Sequence, residues 1–275
     1  MRLVPVDHHK EEVVGLEEEF IHGSFATGVA LGNGFTATHA VGAIATADAL
    51  HGEGLVTWTA AADEYCSYLS TWEIFQMLNG CPIRFKAILR PGLTASLPEE
   101  LNLFVGCMEN MDTASEFVAA GGGMRALCGD IFGFFTPESG GAVLDDSVWH
   151  CITGHNDLEQ VDALNAANPN NLSGADVKVI DGTTGDGLTH EFVAEWVPTN
   201  VVPGVGGVAA TIINAETRFW VDGVLVAKHQ QRGTFQITIA TAELMNFGFV
   251  GENITDIAVC NLLYLKCEQL RLRTW

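Results

Sequence analysis

Basic residues are scarce in this chain: 13 Lys and Arg stand against 34 Asp and Glu, for a formal net charge of −21 and a pI near 4.5. None occurs between Lys10 and Arg84, or between Arg125 and Lys178. A surface this negative repels phosphate backbones and anionic lipid, which argues against nucleic-acid and membrane-surface roles. Helical periodicity is also sparse. Seven cysteines are present (Cys66, Cys81, Cys107, Cys128, Cys151, Cys260, Cys267), but no CxxC pair, and the odd number and irregular spacing do not suggest a disulfide framework. Most sit in apolar runs, where a free thiol behaves as a small hydrophobe. The first ten residues lack an apolar h-region, so a signal peptide is not expected, and the thiols fit a reducing cytosol. Residues 28–50 are nearly uncharged, but Gly, Asn, Thr and His interrupt them too often for a membrane span.

Apolar residues make up 48% of the chain, enough for a sizeable core. They come in short runs separated by Gly, Asn, Asp and Pro, the pattern of an all-β sandwich or barrel. Ile83 to Arg90 alternates: Ile83, Phe85, Ala87 and Leu89 share one face, and Arg84, Lys86, Ile88 and Arg90 the other. Leu101 to Cys107 reads as the next strand, with Leu101, Leu103 and Val105 inward. Near the C-terminus, Ala209–Ile213 is expected to be a strand, Asn214–Glu216 a turn, and Thr217–Val221 a second strand. Asp222-Gly223 supplies the dipeptide that a type I′ turn demands, because both central residues need positive φ. Val224–His229 then returns, completing a meander. Ile257 to Arg273 fits one long strand, with a helix as the competing reading. Residues 111–123 read as a short helix or a loop, and 157–187 as exposed insertions around short strands.

No arrangement of side chains looks catalytic. Retaining glycosidases on such sandwiches need two carboxylates alternating on one strand. Glu17-Glu18-Glu19 and Asp145-Asp146 are adjacent instead, so consecutive members point to opposite faces. His190-Glu191 opens like a zincin helix but has Ala194 where the second His belongs. The glycines of Gly121–Gly123 and Gly204–Gly207 lack the context of a phosphate loop. No GxSxG is present. No cofactor is expected, although the oxygen-rich run Asp181 to Asp186 could take Ca²⁺.

The run Thr217-Arg-Phe-Trp-Val-Asp-Gly-Val-Leu-Val-Ala-Lys-His229 resembles the strand–DG–strand hairpin of concanavalin A-like, laminin G-like jelly rolls. Further segments resemble one branch of them, the sandwich proteins among virion components of tailed bacteriophages: Glu17 to Phe25, Thr71 to Ala87, Leu101 to Gly106 and Asn261 to Leu265. The resemblance implies a two-sheet antiparallel jelly-roll sandwich with loop insertions, spanning residues 16–275 after an N-terminal arm over 1–15. It also implies that the first and last strands pair, Glu18–Phe25 against Ala258–Cys267. For function it implies a non-enzymatic capsid decoration (cement) protein. Such a protein would be assembled in the host cytoplasm, carried on the virion as a homo-oligomer, and partnered by the major capsid protein and copies of itself. The alternative is a carbohydrate- or receptor-binding module of a tail or head fibre. The residues expected at the partner contacts are Trp149, Trp196, Trp220 and Trp275.

Overall fold

Alternation of apolar and polar residues turns one face of each strand toward a shared interior. The computed structural model describes residues 11–19, 35–39, 43–48, 53–58, 64–77, 81–91, 101–109, 130–136, 149–155, 158–161, 189–202, 211–238, 244–253 and 258–272. Among them are sixteen strands: β1 Glu11–Glu18, β2 Phe35–His39, β3 Ala43–Asp48, β4 Glu53–Trp58, β5 Glu64–Ser70, β6 Phe75–Gln76, β7 Ile83–Pro91, β8 Leu101–Met108, β9 Ile131–Thr136, β10 His150–His155, β11 Leu158–Val161, β12 His190–Val202, β13 Thr211–Val221, β14 Val224–Thr238, β15 Leu244–Asn253 and β16 Ala258–Leu272. The C-terminal run is a strand, not a helix.

Two eight-stranded antiparallel sheets result. Sheet A runs β14-β13-β12-β7-β16-β4-β3, with β1 also on β16; sheet B runs β11-β10-β9-β8-β15-β5-β2, with β6 also on β15. The long β16 is the spine of sheet A, with β7 along one side and β1 and β4 sharing the other. The first described strand pairs with the last, Glu11–Glu18 against Leu265–Leu272, whereas the segment expected in that place, Glu18–Phe25, lies outside the described residues beyond Glu19. Residues 11–15, read above as part of an arm, are strand.

The core between the sheets is aromatic. Phe85 of sheet A packs against Phe132, Phe134 and Phe247 of sheet B at centroid distances of 5.6, 6.2 and 5.7 Å. Phe134 in turn meets Phe192 and Phe219 at 5.1 and 5.3 Å. Ring pairs in these edge-on and tilted geometries add to the free energy of burial. Among the described residues, six cysteines are buried and none is in a disulfide. Cys107 and Cys267 touch across the two sheets, sulfur to sulfur at 3.6 Å. Burial pushes the Cys260 and Cys267 thiols well up, with the Cys107 contact adding to the effect at Cys267. At one end of the sandwich, buried Gln269 of β16 donates to the carbonyl of Cys81 at 3.4 Å and to that of Gln76, and accepts from the Gln76 amide at 3.3 Å. One side chain thus fastens β6 to the opposite sheet.

The hairpin forms at its expected place. Asp222 and Gly223 have φ of 50° and 75°, both in the left-handed region that a type I′ turn requires. The Asp222 carboxylate accepts from the Glu191 amide at 2.8 Å and meets His190 Nδ1 at 2.8 Å, while the Asp222 amide donates to the Glu191 carbonyl at 2.9 Å. The predicted turn at Asn214–Glu216 does not form. β13 runs straight through it, and the Gly/Asn-type signal is absorbed as register shifts near Asn214 and Asn200. The meander is accordingly β12-β13-β14. Residues 111–123 and 181–186 lie outside the described residues.

Candidate binding face

The outward-facing residues of sheet A come together from strands far apart in the chain. Directly opposed residues on antiparallel strands share a face, so the pairing register yields cross-strand rows. One row reads Gly15, Glu268, Arg84, Glu195, Arg218, Lys228. The next reads Glu17, Lys266, Lys86, Val193, Trp220, Leu225. A third brings Tyr264, Ile88 and Glu191 side by side.

Charge along these rows is largely matched. Lys86 pairs with Glu191 at 2.6 Å, and Lys266 with Glu268 at 2.8 Å and Glu17 at 3.8 Å. Arg218 reaches Glu195 at 3.8 Å and also binds Glu216, which holds Lys228 at 2.6 Å and accepts from Gln230 at 3.4 Å. Burial pushes the Glu216 carboxyl up, but the Lys228 and Arg218 contacts outweigh it and hold the group below its usual value. The Tyr264 hydroxyl donates to Glu17 at 2.7 Å. Burial and that carboxylate both raise the phenol, because each disfavours its ionised form. Lys86 lies over the Tyr264 ring, 5.8 Å from its centroid. The hydrogen bond to Glu268 lifts the Lys266 ammonium more than desolvation lowers it.

Neither the Glu191–Glu195 pair nor the Glu195–Glu216 pair is placed for the acid–base work of a glycosidase. Glu191 and Glu195 are four residues apart on one strand, about 13 Å at the usual rise, beyond the spacing of a glycosidase pair. Glu195 and Glu216 are diagonal neighbours, but the clamped Glu216 is held ionised and has no proton to donate at neutral pH. Among the described residues no group of three or more His, Cys, Asp or Glu could hold a metal ion. Among the described residues, no helix is long and apolar enough to cross a membrane.

Of the three tryptophans expected at contacts that lie among the described residues, only Trp220 faces outward, partly exposed between Val193 and Leu225. Trp149 and Trp196 are corrected: they are 3% and 0% exposed and belong to the core, where Trp149 packs on Phe192 at 4.9 Å. Their bulk and the inward parity of Phe192, Ala194 and Trp196 account for it. Trp275 lies outside the described residues. Trp72 is 63% exposed on the bend after β5 and was not singled out in the sequence. Its position just past a strand end was the available signal.

No protein-family model matches the chain, and no curated protein does. Solved structures do. An endo-1,3-β-glucanase from Streptomyces sioyaensis matches with a TM-score of 0.53 and 12% identity, over 98% of this chain and 99% of that one. A seed lectin of Lotus tetragonolobus matches with a TM-score of 0.51 and 7% identity, over 95% of this chain and all of that one. The fold is thus the concanavalin A-like jelly-roll sandwich. At such identities the likeness shows the fold alone, and nothing in these matches connects the chain to a virion.

Proposed function

We propose that the chain is a non-enzymatic binding protein whose outer sheet A face holds a saccharide. The observation that carries this reading is the row Lys86, Val193, Trp220, Leu225, an aromatic platform on a sheet with apolar neighbours at its sides and charged donors and acceptors in the next row. An indole offers a flat apolar surface to the C–H face of a sugar ring, while Glu195, Arg218 and Lys228 can reach its hydroxyls. The same sandwich serves a seed lectin and a glucanase, which makes a saccharide the ligand class to test first. The clamped Glu216 and the wide Glu191–Glu195 spacing favour binding without hydrolysis. A glycan array with and without EDTA, followed by calorimetry, tests the reading. Trp220→Ala should weaken the best array ligand by about tenfold, the equivalent of 1.4 kcal/mol. Undiminished binding would refute this face, and sugar release would refute the non-enzymatic part. Loss of signal in EDTA would assign a Ca²⁺ requirement.

Capsid decoration is the second reading, and the segment order favours it. The stretches that resemble virion proteins occur in order along the chain, and their described residues fall at the end of β1 and in β6–β7, β8, β13–β14 and β16, with the first and last described strands paired. In this reading the major capsid protein and further copies of the chain are the partners and the virion is its location. Co-purification with intact particles at near-stoichiometric copy number would support it, and absence from particles would refute it.

A further inference from the structure

The outer face of sheet A has a pocket with three basic side chains and one carboxylate in its wall, in a chain of net charge −21. It lies between β7 and β16, encloses about 210 Å³, and is lined by Arg84, Lys86, Tyr264, Lys266 and Glu268, with Phe85 at its floor. The register sets Lys86 directly opposite Lys266. Like charges in that relation repel and weaken a strand pair, so the arrangement costs stability. Each lysine is partly neutralised from outside the pair, Lys86 by Glu191 and Lys266 by Glu268 and Glu17. Arg84 is different. It is exposed and, among the described residues, makes no ion pair, although Glu268 and Glu195 stand opposite it in register. Its guanidinium is therefore available to a ligand, and its planar fork matches a carboxylate through two parallel hydrogen bonds. The remote negative charge of the protein does not cancel this. Exposed charges farther than about 8 Å are screened at physiological ionic strength, so the nearest groups decide the local field.

We propose that the pocket is an anion subsite of the saccharide face, receiving the carboxylate of an acidic sugar on Arg84 with Lys86 and Lys266 beside it. The inference rests on the saccharide reading of the same face. Lys86 and Trp220 belong to one cross-strand row, two strands apart, or about 10 Å at the usual inter-strand spacing. A short oligosaccharide laid across the strands reaches both. The chain then selects uronic-acid-containing chains over neutral ones, with Trp220 supplying ring affinity and Arg84 supplying charge selectivity.

Calorimetry of the full chain with tetragalacturonate and with its fully methyl-esterified form separates the two contributions. The wild type should bind the acid about tenfold more tightly than the ester, and that preference should shrink as salt is raised. Arg84→Ala should abolish the preference by bringing acid affinity down to that of the ester, and should leave the thermal transition unchanged, since Arg84 is exposed. Trp220→Ala should weaken both ligands alike. Equal wild-type affinity for acid and ester, with Trp220→Ala weakening both, would overturn the anion subsite and leave the saccharide reading standing. So would an acid preference that survives Arg84→Ala. Binding of neither form by the wild type would overturn the subsite, and a blank glycan array beside it would overturn the saccharide reading too.

Discussion

The two sheets are built from the same fold logic but from different residues. The strands of sheet A contain Arg84, Lys86, Arg90, Arg218, Lys228, Arg232, Lys266 and Arg271, eight of the chain's 13 basic residues, whereas the strands of sheet B contain none. The outer face of sheet A is laced with ion pairs and open to water. On sheet B the residues that alternate with the core set, Phe104, Met108, Ile131, Phe135 and Val250, are themselves almost fully buried. Sheet B also carries a row of directly opposed glycines, Gly133, Gly106 and Gly248, where neighbouring backbones and the Phe104 ring come too close for a side chain. A strand buried on both faces reads as a continuous apolar run, and one with a wet face must alternate. Among the described residues, that difference leaves the outer face of sheet A wet and the corresponding residues of sheet B dry.

The largest effect should come from attacking what both sheets share. Phe134→Ala removes a ring that meets Phe85, Phe192 and Phe219. It should cost about 3–5 kcal/mol, read by urea denaturation, and lower the transition as a whole because the two sheets share one core.

Next comes the same substitution made in each sheet. A Cβ on Gly248 of sheet B would lie 2.1 Å from the Tyr68 carbonyl oxygen, a backbone atom that cannot swing aside. Gly248→Ala should cost about 1–3 kcal/mol. On Gly15 of sheet A the nearest atom is 3.3 Å away, and Gly15→Ala should change stability by less than about 0.5 kcal/mol. Equal costs would erase the contrast in backbone packing.

The charged face is sharpened by pH. Glu216 is 10% exposed at its side chain, and its carboxyl is held below the ordinary 4.5 of a glutamate. A depressed carboxyl stabilises the folded state above the unfolded-state value and loses that stabilisation as pH falls through the folded one. Glu216→Gln should therefore cost about 1–3 kcal/mol at neutral pH. The gap to wild type should stay constant down to about pH 5 and close below it. A gap that widens in acid would reverse the assignment.

The smallest signal concerns the thiols. With burial raising Cys260 and Cys267, neither should react with a disulfide reagent at pH 8 until the protein is unfolded, as counted by released chromophore. Prompt labelling of both would mean that the core opens far more readily than its packing implies.

Much of the architecture was legible from local pattern. β7 and its two faces, the β8 strand, the hairpin and the strand nature of the C-terminal run follow from period-two alternation and from the φ demands of a two-residue turn. The reading failed where two local signals competed. Asn214-Ala-Glu216 has turn composition, yet pairing on both sides of β13 carries the strand through as a bulge. The binding face was legible only in fragments. Arg84 and Lys86 were placed on the outer side of their strand, but nothing local tied them to Lys266 or Trp220.

Composition and periodicity alone determined that the chain forms strands, where its tightest turn lies, and that its net charge is strongly acidic. Only the tertiary structure decided which strands are neighbours and which face of each is wet. Alternation says that successive side chains point opposite ways. It does not say which way is inward, because that depends on the second sheet stacked above. Trp196 and Trp220 look equivalent in the sequence. Stacking buries the first and turns the second to solvent, and the pairing of β7 with β16 brings together the cations that line the pocket.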